Sequence, residues 1–323
     1  LFLKIVFSLY IILILYTLIF IKSNGMEHRF SANVISIYNS KNNFDTRILE
    51  CSLYGKNTNN YCIRGADVIP DTVLLGDSHA AILAKSIEKI YKKKNKSFAQ
   101  LTYDGCPPAL NLQVFKAKNF KCELFYADAL KYLKDNPNIK NVIIAARWPT
   151  LIDGERFNNQ LGGIESGDFH KVVPIISNQL LLDETKRKSI IKSEISKYIK
   201  EIINLDKKII LIYSIPENGW NVPKTYARYL KFYGEISNNL FIRETTFKKR
   251  TQESSLFLDE LSKIDPQNRI IRVKPEDYFC NSKVKKKCIA YYDGKILYFD
   301  DDHLSIFGSD FLIEKISNKI MFE

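Results

Sequence analysis

Ser78, His303 and Asp300 are the residues of this chain whose types and order could do chemistry together. A serine becomes a nucleophile only when a base takes its proton, a donor site receives the developing oxyanion, and substrate can reach it. Ser78 stands in VLLGDSHAAIL, residues 73–83, where a short apolar run ends at Gly76 and a helix-forming run follows. The base would be a histidine, and the chain has four: His28, His79, His170 and His303. His28 is close to an apolar N-terminal stretch, and His170 lies in the Gly-rich GGIESGDFHK. His79 follows Ser78 directly and would open the next helix, pointing away from its neighbour. His303 lies in YFDDDHLS, three residues after Asp300. Side chains at i and i+3 are neighbours in a tight or helical turn. Asp300 could therefore hold one imidazole nitrogen and leave the other for Ser78. Asp301 and Asp302 are rival carboxylates whose offsets aim them elsewhere. The same acidic run could instead cap a helix. A metal centre needs three or four convergent ligands; only this cluster offers any, and no metal is expected. The motif is not G-x-S-x-G, so the nucleophile elbow of α/β-hydrolases is not expected either.

These residues need elements that hold them. DTVLLGDS reads as a buried strand, and HAAILAKSIEKIYKK as a helix with Ile82, Leu83, Ile87 and Ile90 at helical period. SFAQLTY is strand-like and stops at DGCPP, CELFYADALKYLKDN is helical, and NVIIAARWP is a strand stopped by Pro149. RKSIIKSEISKYIKEIINL is a helix, KKIILIYSIPE a strand, roughly 236 to 263 a long helical region, and RIIRVKPEDYF a final strand. Strands alternating with helices predict a three-layer α/β/α sandwich around a mainly parallel sheet. Working residues in such sheets gather at the carboxyl ends of the strands. Ser78, Gly105, Arg147 and Pro216 each fall at or just after such an end.

Lys4 and Lys22 enclose 17 uncharged residues, IVFSLYIILILYTLIFI, the lower limit for crossing a bilayer (~17–25 residues). No small-residue cleavage site follows, so a retained transmembrane helix is expected over 1–22 rather than a secretory signal. The chain starts with Leu1, which suggests the tail of a longer membrane protein. Residues 23–70 read as a polar extension, and 71–323 as the catalytic domain. The six cysteines fall into sequence-local pairs: Cys51 with Cys62, Cys106 with Cys122, Cys280 with Cys288. None has C-x-x-C spacing, and an even count behind a membrane helix fits three short-loop disulfides in an oxidising compartment. Six cysteines allow about fifteen connectivities, so the pairing itself stays open at this level. The net charge of +12 comes largely from dispersed lysines. No nucleic-acid motif accompanies it, and a basic face toward anionic lipid headgroups or an acidic glycan is the better reading.

Taken together, VLLGDSHAAIL and DDDHLS..G resemble the SGNH (GDSL-like) hydrolase superfamily. More closely, the chain is similar to the SGNH domain fused behind the acyltransferase family 3 membrane domain in bacterial surface-polysaccharide O-acyltransferases. GMEHRF, CPP, VIIAARW, IPENGWNVP and the first and last cysteine pairs share in the likeness, which runs from about residue 20 to the end. The resemblance implies Ser78 as nucleophile, His303 as general base and Asp300 as its orienting carboxylate. It implies an oxyanion site from the backbone N–H of Ser78 and of Gly105. The superfamily's Asn donor is missing, with AARW at the comparable position, which leaves Arg147 or Trp148 either to meet substrate or to serve structure. The expected activity is transfer of an acyl group, acetyl in the first instance, to a carbohydrate hydroxyl. The chain would sit in a bacterial inner membrane as a single-pass protein with its domain in the periplasm. No cofactor is expected, the acyl group deriving from acetyl-CoA through an acyltransferase membrane domain. The alternatives are a stand-alone esterase with the same triad and a non-catalytic glycan-binding domain.

Overall fold

A computed structural model describes residues 2–23, 25–52, 61–115, 120–165, 171–175 and 183–321. Six strands form the central sheet: β1 (Cys62–Gly65), β2 (Thr72–Gly76), β3 (Ser97–Thr102), β4 (Asn141–Ala145), β5 (Lys208–Ile212) and β6 (Ile270–Val273). Their spatial order is β1-β3-β2-β4-β5-β6. All neighbours are parallel except β1, which closes the edge antiparallel to β3. The chain thus starts its parallel sheet at β2, steps outward to β3, then returns across β2 to β4. That reversal opens a crevice at the carboxyl end of β2, where ligands bind in open α/β sheets.

Strands β2 to β5 are buried on both faces almost throughout, which explains their largely apolar runs, while the edge strands β1 and β6 are partly exposed. Successive side chains point to opposite faces. Val73, Leu75, Val142, Ile144, Ile209 and Leu211 enter one core layer, and Leu74, Ile143, Ala145, Ile210 and Ile212 the other. The first layer is closed by the helices Cys122–Asp135 and Glu184–Asn204. The second is closed by Ala84–Lys93, Val222–Tyr233 and Ile306–Lys315. In the second helix of the first layer, Ile191, Ile195, Ile199 and Ile202 form the buried stripe that its spacing predicts.

Several local readings are corrected. The helix expected from residue 79 is broken into Ser78–Ala81 and Ala84–Lys93. Pro149 does not end an element; it sits in the first turn of the helix Trp148–Asp153, where its missing N–H costs nothing. The region 236–263 holds a shorter helix, Glu244–Glu260, preceded by a two-residue strand. The strand of RIIRVKPEDYF stops at Val273, and Glu276–Phe279 is helical. Residues 23–70 do more than link. β1 belongs to the sheet, and the helix Ala32–Asn39 lies on Val222–Tyr233. Buried Arg64 of β1 holds Asp45 at 2.6 Å, Glu88 at 2.7 Å and Gln100 at 3.0 Å, which clamps this segment to the domain. All six cysteines are paired as their proximity suggested: Cys51–Cys62, Cys106–Cys122 and Cys280–Cys288. Ahead of the domain, the helix Phe2–Lys22 buries no residue against it and is long and apolar enough to cross a membrane. Its 21 residues span about 31 Å.

Candidate active site

Gly76 ends β2 with φ +147, and a Cβ there would lie 1.8 Å from the Ala145 carbonyl oxygen of β4. Only glycine lets the two strand ends approach so closely. The next residue ties them together. Buried Asp77 accepts the His79 N–H at 2.8 Å through Oδ1 and the Arg147 N–H at 2.9 Å through Oδ2. Burial raises the pKa of Asp77, against the pull of His79. Asp77 so fixes the first turn of Ser78–Ala81 and presents Ser78 at the mouth of the crevice. Neither the Ser78 nor the Gly105 N–H has an acceptor among the described residues. Both residues line one cleft of about 420 Å³. Gly105 is held there by a turn with φ +70, next to the Cys106–Cys122 bridge.

The other half of the site comes from the loop before Ile306–Lys315. Asp300 Oδ1 accepts the N–H of Asp302 at 3.0 Å and of His303 at 2.7 Å, winding the loop into a tight turn. Its Oδ2 lies 2.8 Å from His303 Nδ1, and His303 Nε2 lies 2.8 Å from Ser78 Oγ. With the proton on Nδ1, the imidazole donates to Asp300 and accepts from the serine hydroxyl, as a serine–base–orienter set requires. Phe299 stacks on the imidazole, ring planes 12° apart. Gly308, the glycine of DDDHLS..G, closes the turn's far side, where a Cβ would meet the Leu297 carbonyl oxygen at 2.0 Å.

Asp302 does not face elsewhere. Its Oδ1 is 3.0 Å from His303 Nδ1, and its Oδ2 is 3.0 Å from both His79 Nε2 and Arg147 Nε. Burial works against the charge on Asp302, but His303 and Arg147 hold its carboxyl well below the usual range. Burial likewise works against charge on His303, yet Asp300 and Asp302 hold its imidazole well above the ordinary histidine value. A raised imidazole pKa favours the doubly protonated ring, which donates to the carboxylates and cannot accept from the Ser78 hydroxyl. Asp301, on the cleft wall, is pushed up to about 7 by burial and by Asp302 and Asp300.

The two residues left open at AARW separate. Trp148 is 0% exposed and donates Nε1–H to the Ile212 carbonyl at 2.8 Å, so it is core and meets no substrate. Arg147 lines the cleft while its guanidinium is held by Glu165, Glu217 and Asp302. Phe44 and Ile48, from the segment read as an extension, form an apolar wall beside Phe299 and Leu151. No local pattern marked them, because they reach the cleft only through the folding-back of residues 23–52. Among the other histidines, His28 is exposed near the N-terminal helix, and His170 lies outside the described residues. His79, Asp302 and His303 also bring donor atoms within 4.8 Å of one another, as a metal would need; in the network above, Asp302 joins both histidines by hydrogen-bonding contacts instead.

Residues 50–318 match the family model of the SGNH domain that is fused to AT3 domains. The structure is similar to the periplasmic domain of a lipopolysaccharide acetyltransferase from Salmonella ser. Paratyphi A. That likeness has a TM-score of 0.60 and 20% identity over 88% of this chain and 97% of the other. A weaker likeness, with TM-score 0.41 and 13% identity over 80% of this chain and 91% of the other, is to a putative acylhydrolase from Bacteroides fragilis. No curated protein gives a significant match.

Proposed function

Because the chain belongs to the family of SGNH domains fused to AT3 domains, we propose that it transfers an acyl group, acetyl in the first instance, to a carbohydrate hydroxyl. The observation that carries this reading is the unbroken contact line from Asp300 through His303 to Ser78 in an open cleft. Ser78 Oγ attacks the acyl carbonyl while His303 Nε2 takes its proton. The oxyanion forms facing the Ser78 and Gly105 N–H groups, a kind of donor worth about 3 kcal/mol each in the transition state. His303 then protonates the leaving group as the tetrahedral intermediate collapses to an acyl-serine. In the second half, His303 deprotonates the sugar hydroxyl, which attacks the acyl-serine, and the regenerated serine recovers the proton. Arg147 keeps its carboxylate partners in place and has a buried Nη2 without a partner among the described residues.

The apolar helix Phe2–Lys22 supports a single-pass anchor in a bacterial inner membrane. Three disulfides support an oxidising periplasm around the domain. The acyl group would derive from acetyl-CoA through an AT3 membrane domain, and no nucleic acid takes part. Water in place of the sugar would make the same machinery an esterase. The test is the full chain charged with an activated acetyl ester, with free acetate and acetylated glycan measured together. Acyl transfer predicts that added glycan acceptor diverts acetate into ester. Release of acetate alone, whatever acceptor is offered, would mark an esterase. A fluorophosphonate probe should label wild type and not Ser78→Ala; an unlabelled, folded wild type would mean a binding domain without catalysis.

A further inference from the structure

A second cleft, of about 430 Å³, lies where the N-terminal helix Phe2–Lys22 meets the helix Val222–Tyr233. Lys224, Arg228 and Lys231 are spaced four and three residues apart, so they share one exposed face of the second helix. With Arg29 they bring four cations to the cleft, against the single acid Glu27. Among the described residues none of the four cations forms an ion pair with a carboxylate. The remaining lining is aromatic and aliphatic. Lys231 Nζ sits 4.8 Å from the Phe30 ring centroid and 5.1 Å from that of Phe232, whose side chain is 64% exposed. Phe20, in the last turn of the apolar helix, lines the same cleft.

We propose that this cleft seats the phosphate of an anionic phospholipid headgroup at the membrane surface. The inference rests on reading Phe2–Lys22 as the membrane span. If that helix crosses the bilayer, Phe20 marks the edge of the hydrocarbon, and the cations and Phe232 stand at headgroup level. Aromatic rings favour that interface. Basic side chains there are drawn to anionic lipid within a Debye length of about 8–10 Å. The unpaired cations supply the charge complement, and the exposed ring supplies contact with the upper acyl chain. The lysine-rich composition thereby has a local role on this face, while the helix's opposite side buries Val222 and Tyr226 in the core.

The test uses the full chain in neutral detergent, offered equal amounts of phosphatidylglycerol and phosphatidylcholine, with retained lipid counted by native mass spectrometry. Each cation held at an anionic surface contributes about a fivefold preference, so two engaged cations give one on the order of 25-fold. The triple variant Lys224→Gln, Arg228→Gln, Lys231→Gln should bring the ratio close to one at an unchanged thermal midpoint. Equal retention of both lipids by wild type overturns the proposal, as does a preference that survives in the variant. Cross-linking of Lys231 to a membrane protein, without any phosphatidylglycerol preference, assigns the cleft to a protein partner and overturns it too. Alkaline extraction of membranes tests the span separately. A chain that is extracted yet keeps its lipid preference in detergent refutes the span and leaves headgroup binding standing.

Discussion

Two carboxylates, not one, address the imidazole nitrogen that faces away from Ser78. Asp300 lies at 2.8 Å and Asp302 at 3.0 Å from His303 Nδ1. Asp300 also shapes the turn through its Oδ1, whereas Asp302 acts on charge and links His303 to His79 and Arg147. Their joint effect raises the pKa of His303 against its burial. The sign follows directly: a base whose pKa is raised is protonated and idle over a wider range, so activity grows as pH rises through that pKa. The acid limb of kcat/KM for ester cleavage should therefore lie above the ordinary histidine value of about 6.5. Asp302→Asn should move that limb down by about one to three pH units, the usual effect of removing one close opposite charge. A limb that stays in place in Asp302→Asn would show that Asp302 does not tune the base. Asp300→Asn should instead lower the plateau itself, because it removes the orienting acceptor as well as a charge. Asp300 was legible from its i+3 offset to His303. Asp302 was not, because the tight turn made by Asp300 brings the side chain two residues on to the same imidazole.

At the scale of elements, the site depends on three strand ends and the loop before Ile306–Lys315. Gly76 permits β2 to approach β4, and Asp77 then bonds across to the Arg147 N–H, so the crevice is built by close backbone packing. Gly105 follows β3 in a loop whose further course is tied to the helix Cys122–Asp135 by the Cys106–Cys122 bridge. The bridge spans a sequence separation of 16, and closing a loop of that size stabilises a fold by about 3 kcal/mol in the chain-entropy model. The double variant Cys106→Ala, Cys122→Ala should lose stability of that order in denaturant unfolding. Under conditions where it remains folded, its Ser78 acylation rate should also fall, because the Gly105 N–H is no longer held. A rate equal to wild type would remove Gly105 from the oxyanion site. The strands and the helix Glu184–Asn204 were readable because their apolar period is local. The breaks at Ile82–Leu83 and after Val273 were not, since tertiary packing overrides propensity over such short spans.

On the scale of the whole molecule, the segment ahead of β2 is part of the working domain. It supplies the edge strand, the Phe44 and Ile48 wall of the cleft, and the Asp45 partner of buried Arg64. Removing residues 1–24 should leave a folded protein that a fluorophosphonate still labels, because Phe2–Lys22 buries nothing against the domain. Removing residues 1–70 should abolish labelling and soluble expression. That cut strips the sheet edge together with buried Arg64 and leaves Glu88 only its lysine partners, Lys92 at 2.9 Å and Lys85 at 3.8 Å. Labelling retained in the shorter protein would show that the site does not need the segment.

The sequence by itself determined whatever depends on short separations along the chain. Buried strands came from unbroken apolar runs, helices from their period, the expectation of short-loop disulfides from an even, sequence-local set of cysteines, and the serine and Asp-x-x-His blocks from residue type and spacing. The tertiary structure alone decided what depends on which distant segments share a volume. It set the distance between His303 and Ser78, buried Trp148 in the core and closed Arg147 among three carboxylates. It brought Phe44 and Ile48 to the cleft and set cations with no carboxylate partner among the described residues beside the end of the apolar helix. The physical reason is that periodicity fixes which face of an element is apolar, while direction and partner are fixed only when the sheet order reverses at β2 and the loops close over it.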